Sequence, residues 1–131
     1  MSHPTDLPHI YREAADQLDT VGYYPDDIVV DPFDHRLRTP HRLRPMNLEG
    51  AVRCVISGDP HAETDLADRA LLYAARHLVV DGETVYDDRP STVAWHLHDW
   101  CQTNDARYVI RMLRTLADLA DLDTTPGQVA A

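Results

Sequence analysis

Apolar residues recur at helical spacing in five separate stretches of the chain. Leu7, Ile10, Tyr11, Ala14, Leu18 and Val21 fall three and four residues apart, with Arg12, Glu13, Asp16 and Asp19 opposite. This pattern predicts a surface helix with one buried stripe. Thr5 or Asp6 can cap it, Pro8 suits its first turn, and Gly22 can end it. A second helix is predicted to start at Asn47. Its apolar face is Leu48, Ala51, Val52, Val55 and Ile56, Cys54 lies on the flank, and Gly58 then Asp59-Pro60 stop it. Glu49 falls in its first turn, where an acid suits the helix dipole.

The third helix runs from about Asp59 or Thr64 to Leu78, with Leu66, Ala70, Tyr73, Ala74 and Leu78 on one side. Asp81-Gly82 follows between β-branched residues, a local signal for a tight hairpin turn. Ser91 is the expected cap of a fourth helix carrying Val93, Trp95, Leu97, Trp100 and Cys101. Thr103, Asn104 or Asp105 caps the fifth. That helix has the widest apolar stripe, from Tyr108 and Val109 through Leu113 and Leu116 to Ala120, and is expected to pack centrally.

Residues 23–46 break this rhythm. Pro25, Pro32, Pro40 and Pro45 forbid a continuous helix, and Ile28-Val29-Val30 favours an extended segment. The stretch contains a small repeat, His35-Arg-Leu-Arg-Thr-Pro40 and then His41-Arg-Leu-Arg-Pro45. Arg alternating with Leu fits an extended chain with one face wet. The expected architecture is therefore mainly α: a compact bundle of four to five helices. A long Pro/Arg-rich loop, with room for a short hairpin, joins the first two. Residues 1–123 read as a single helical domain and 124–131 as a frayed tail.

Composition narrows the class. At 131 residues, 44% hydrophobic and 26% charged, the chain is an ordinary one-domain globular protein. All 12 basic residues are Arg, and 18 of the 22 acids are Asp, for a net charge of −10. Absent Lys and scarce Asn fit a high-GC genome, with salt adaptation as the second reading; both point to a prokaryote or its virus. Two cysteines do not make a disulfide framework. The N-terminus has no signal-peptide pattern, and no apolar run is long enough to span a bilayer. A cytoplasmic protein is expected, with no membrane association.

Candidate chemistry is sparse. Trp95-His-Leu-His-Asp-Trp-Cys101 is the densest cluster. His98 and Cys101 share a helical face and suit a borderline metal, but His96 points elsewhere and no further ligand has the right spacing. No metal or other cofactor is expected, and no catalytic residue is assigned. The four guanidiniums of Arg36, Arg38, Arg42 and Arg44 form the one positive patch and are the candidate partner-binding residues. They are expected on an exposed, extended segment. The partner is another protein or a second copy of the chain. Nucleic acid is not expected, because a chain at −10 repels a polyanion and no aromatics alternate with the arginines.

Three functions stay open. The first is a non-enzymatic accessory or protein-interaction module of a high-GC bacterium or its phage. The second is a small metal-dependent or enzymatic module around His96, His98 and Cys101. The third is an acidic DNA mimic using clusters such as Asp59, Glu63, Asp65 and Asp68.

One resemblance adds to this reading. The chain has Tyr11-Arg-Glu-Ala-Ala-Asp-Gln-Leu18, Gly22-Tyr23, and Leu48-Glu-Gly-Ala-Val-Arg-Cys54 with Gly58-Asp-Pro60. Another helix, then Trp100 before a last capped helix that reaches Leu113-Arg114, completes the order. This order resembles a family of small uncharacterised actinomycete and actinophage proteins over residues 11–120. The sequence departs where family members tend to have Trp-Asn-Asp, since Cys101-Gln102 follow Trp100 here. The resemblance implies an architecture and a source, and no activity.

Overall fold

The computed structural model describes residues 3–34, 36 and 38–124. Five α-helices account for most of it: α1 (Leu7–Val21), α2 (Leu48–Ser57), α3 (Asp65–His77), α4 (Pro90–Gln102) and α5 (Ala106–Thr124). A 3-10 turn, His41–Leu43, lies in the connection from α1 to α2. The chain is mainly helical, and no strand forms among the described residues. Of the expected C-terminal tail, Thr124 ends α5 and residues 125–131 lie outside the described residues.

Local chemistry explains the boundaries. The Asp6 side chain accepts from the His9 N–H at 3.0 Å, Asn47 from Gly50 at 2.8 Å, and Thr64 from Ala67 at 3.0 Å. Gly58 closes α2 at φ +84°, in the left-handed region where a side chain would be strained. α4 corrects the expected cap. Pro90 occupies its first turn after Arg89, and Ser91 lies inside the helix. Proline supplies the helical φ there without needing a cap for its missing N–H. For α5, Asp105 is the residue whose carboxylate accepts from the Tyr108 N–H, at 2.9 Å.

The Asp81-Gly82 turn forms as its sequence predicts. Both residues have positive φ, and Val80 and Glu83 exchange both backbone hydrogen bonds. The pairing stops at that single bridge. Residues 22–47 also contain isolated bridges in place of a hairpin: Met46 pairs with both Tyr23 and Val29. The segment is tied down by side chains from the helices. Tyr23 donates its hydroxyl to the Cys101 carbonyl at 2.7 Å, Gln102 donates to the Pro25 carbonyl at 3.0 Å, and Gln17 donates to the Arg42 carbonyl at 2.7 Å.

One hydrophobic core draws on all five helices. Leu48, Ala51, Val52, Leu113 and Leu116 are fully buried in it, and Val55 packs on its edge. The central helix differs from the one expected. α5 packs chiefly on α1, whereas α2 meets α1, α3 and α4. Every residue of α2 from Leu48 to Cys54 is buried, Glu49 and Arg53 included. Leu113 is fully enclosed, so Leu113→Ala is expected to cost about 2–5 kcal/mol of unfolding free energy. Urea denaturation checks it, and a near-zero change would place Leu113 outside the core.

Candidate functional site

The start of α2 and the middle of α4 face each other across a cleft of about 310 Å³. Its lining comes from three parts of the chain. Asp26, Asp27 and Ile28 belong to the segment after α1, Asn47 and Glu49 to the first turn of α2, and Ala94, Trp95 and His98 to α4. Gly50 sets the first two parts together. The Ile28 carbonyl lies so close over α2 that a Cβ at position 50 would run into its oxygen.

The cleft has a buried base and an open rim. Glu49 is only 9% exposed. Its Oε2 accepts from the Arg53 guanidinium at 2.7 Å, one helical turn on, and no described residue donates to its other oxygen. Burial pushes the Glu49 carboxyl above its ordinary range, and the attraction of Arg53 works against that rise. Asn47 is buried as well. Its side-chain oxygen is spent on capping α2, and no described residue accepts from its amide nitrogen. Asp26 and Asp27 stand exposed at the rim. Trp95 forms a wall and is 68% exposed, with the His98 ring edge-on to it at 5.8 Å between centroids.

Trp95 also borders a second cleft, of about 470 Å³, shared with Tyr86, Arg89, Ser91, Thr92, His96 and Asp99. Tyr86 is 86% exposed. The outer face of α4 therefore presents an aromatic ridge with a hollow on each side.

The candidate metal ligands part company. His96 bonds through Nε2 to the Leu78 carbonyl at 2.6 Å, at the exit of α3. His98 faces the first cleft. Cys101 is buried in the core, where burial pushes its thiol up from the ordinary value. Cys54 is free and buried too. No group of three His, Cys, Asp or Glu is placed to hold a metal ion among the described residues.

The arginine strip divides. Arg36, Arg38 and Arg42 are exposed, and Arg36 pairs with Asp34 at 3.1 Å. Arg44 corrects the expectation of an exposed side chain. It is 5% exposed and donates to the backbone carbonyls of Thr39 at 2.8 Å and Asp31 at 2.7 Å. A guanidinium carries five donors in a rigid fork, which lets one side chain gather several carbonyls that no strand partner satisfies. The 3-10 turn at His41–Leu43 also replaces part of the expected extended chain. His35 and Leu37 of the repeat lie outside the described residues.

The sequence marks Trp95 and His98 of the first cleft as part of the His/Cys cluster, but nothing in it brings Asp26, Asp27 and Glu49 beside them. One signal was present: an acid and an arginine, Glu49 and Arg53, four apart inside an otherwise apolar helix. Charges in such surroundings pair with each other or with a ligand.

No curated protein and no solved structure matches the chain. Residues 2–119 match the Family of unknown function (DUF6197), a span that takes in all three parts of the cleft. The chain belongs to that family.

Proposed function

We propose that the chain is a non-enzymatic protein-interaction module whose contact surface is the outer face of α4. The observation that carries this reading is Trp95, 68% exposed and shared as a wall by two clefts. An indole in water forgoes a large burial gain, and tryptophan is the side chain most enriched among the residues that dominate interfaces. Exposed Tyr86 extends the same surface. Arg36, Arg38 and Arg42 supply a second contact strip toward another protein or a second copy, while Arg44 serves the fold. Exclusive use of Arg among the basic residues supports a source in a high-GC bacterium or its phage, and the two free thiols support a reducing cytoplasm.

The test is affinity capture from the lysate of the native host with wild-type and Trp95→Ser baits, after confirming equal melting. A partner retained by the wild type and depleted about tenfold or more by the variant is expected, since interface tryptophans commonly contribute more than 1.4 kcal/mol. Equal recovery by both baits would overturn the assignment of this face.

A further inference from the structure

The first cleft combines features that select one kind of group. Three carboxylates converge on it: Asp26 and Asp27 at the rim and Glu49 at the base. Glu49 is nine-tenths buried, yet one of its oxygens has no donor among the described residues. That oxygen is not enclosed, since Arg53 Nε is the one buried side-chain polar atom without a partner among the described residues, so it can accept from a ligand while Arg53 serves the other. Trp95 lines the wall with the His98 ring edge-on to it, and an indole attracts cations through its ring quadrupole. Asn47 adds a side-chain N–H pair with no described acceptor, itself in a residue 3% exposed.

We propose that this cleft takes the guanidinium of an arginine presented by a partner protein, stacked on Trp95 and donating to the open oxygen of Glu49. The inference rests on the reading of the α4 face as an interaction surface and names what that surface grips. A guanidinium fits better than an ammonium for two reasons. It is flat and lies against an indole without losing its in-plane donors, and those donors fork toward several carboxylates at once. The Asn47 amide then suits a carbonyl of the partner's backbone beside the arginine. Asp26 and Asp27 draw the cation in and pair with its outer edge. The cleft volume, about 310 Å³, is ample for an arginine side chain together with neighbouring partner backbone.

The experiment is a fluorescence titration of the full chain with the blocked peptide acetyl-Gly-Arg-Gly-amide at low salt. Its lysine and citrulline counterparts serve as comparisons. Trp95 is the exposed indole and Trp100 the buried one, 3% exposed, so the emission reports the cleft. The arginine peptide is expected to give a saturable change and to bind about tenfold tighter than citrulline, its uncharged near-isostere. Glu49→Gln should weaken it about tenfold or more. Because that change leaves Arg53 facing a neutral partner, Asp26→Asn with Asp27→Asn is the companion variant. Its amide oxygens can still accept from Gln102 and from the Ile28 N–H, so the fold is kept while affinity falls.

Equal binding of arginine and citrulline peptides, no saturable change, or a lysine peptide as tight as arginine would each overturn the proposal. A host partner captured through Trp95 while the arginine peptide leaves the emission unmoved would leave the interaction surface standing and remove the guanidinium from it.

Discussion

Gly50→Ala is expected to destabilise the protein by about 3 kcal/mol or more, or to prevent folding. The sign is the informative part. In an ordinary helix interior the same change stabilises by about 0.5–1 kcal/mol, because alanine is the better helix former. Here the added methyl meets the Ile28 carbonyl and crowds the Met46 side chain as well. Neither neighbour can yield cheaply. Ile28 is held between the Asp27 side chain, which accepts from its N–H at 2.7 Å, and the Val30–Pro45 backbone hydrogen bond at 2.8 Å. Met46 is fully buried and pairs through its backbone with Tyr24 and Gly22. Urea denaturation of the two proteins measures the effect. A gain in stability would show that the chain does not cross α2 at this point.

Arg53→Met carries the second large effect, about 3–5 kcal/mol at neutral pH. It leaves the Glu49 carboxylate buried without its cation. The pair as it stands gives little net stability, because Arg53 is 6% exposed and its Nε has no hydrogen-bond partner among the described residues. Removing one member is therefore far worse than removing both. Glu49→Met with Arg53→Met should recover most of the loss.

The pH dependence follows from the direction of the Glu49 shift. Its folded pKa lies above the ordinary 4.5. A carboxyl whose folded pKa is raised costs nothing below the unfolded value and destabilises as pH rises through the folded one. Loss of Arg53 raises that folded pKa further. The penalty of Arg53→Met should thus shrink as the pH is lowered from neutral toward 4.5, and chemical denaturation across that range checks it. A penalty independent of pH would mean that Glu49 is not the group left stranded.

Helix number and position were legible in the residues because four of the five stripes open on a side-chain cap and the remaining one, α4, on Pro90. Asp6, Asn47, Thr64 and Asp105 each bond the N–H expected of a cap. The rank of the helices was not legible. A wide apolar stripe marks a helix with one buried side, and α5 is such a helix. α2 is buried all round from Leu48 to Cys54, and Glu49 and Arg53 give it the look of a surface helix until their mutual pairing is seen.

The cleft was hidden for a different reason. Its residues sit at 26–28, 47–49 and 94–98, and their meeting depends on the contact at Gly50, which leaves no periodic trace. The arginine strip was half legible. Proline placement excludes a helix there, but alternation cannot tell a solvated guanidinium from one such as Arg44 that is turned inward onto carbonyls.

Arg44 has a consequence for how this protein can diverge. The groups it grips, the carbonyls of Val30, Asp31 and Thr39, are main-chain atoms that every amino acid offers. These contacts depend on the path of the main chain rather than on side-chain identity, while Asp34, between the anchor points, also feels the Arg44 charge. Related chains that keep this path can vary residues between 31 and 39 that do not face Arg44, and with them what that edge of the molecule displays, while the carbonyl contacts persist. One inward arginine separates the evolution of the displayed surface from that of the scaffold beneath it.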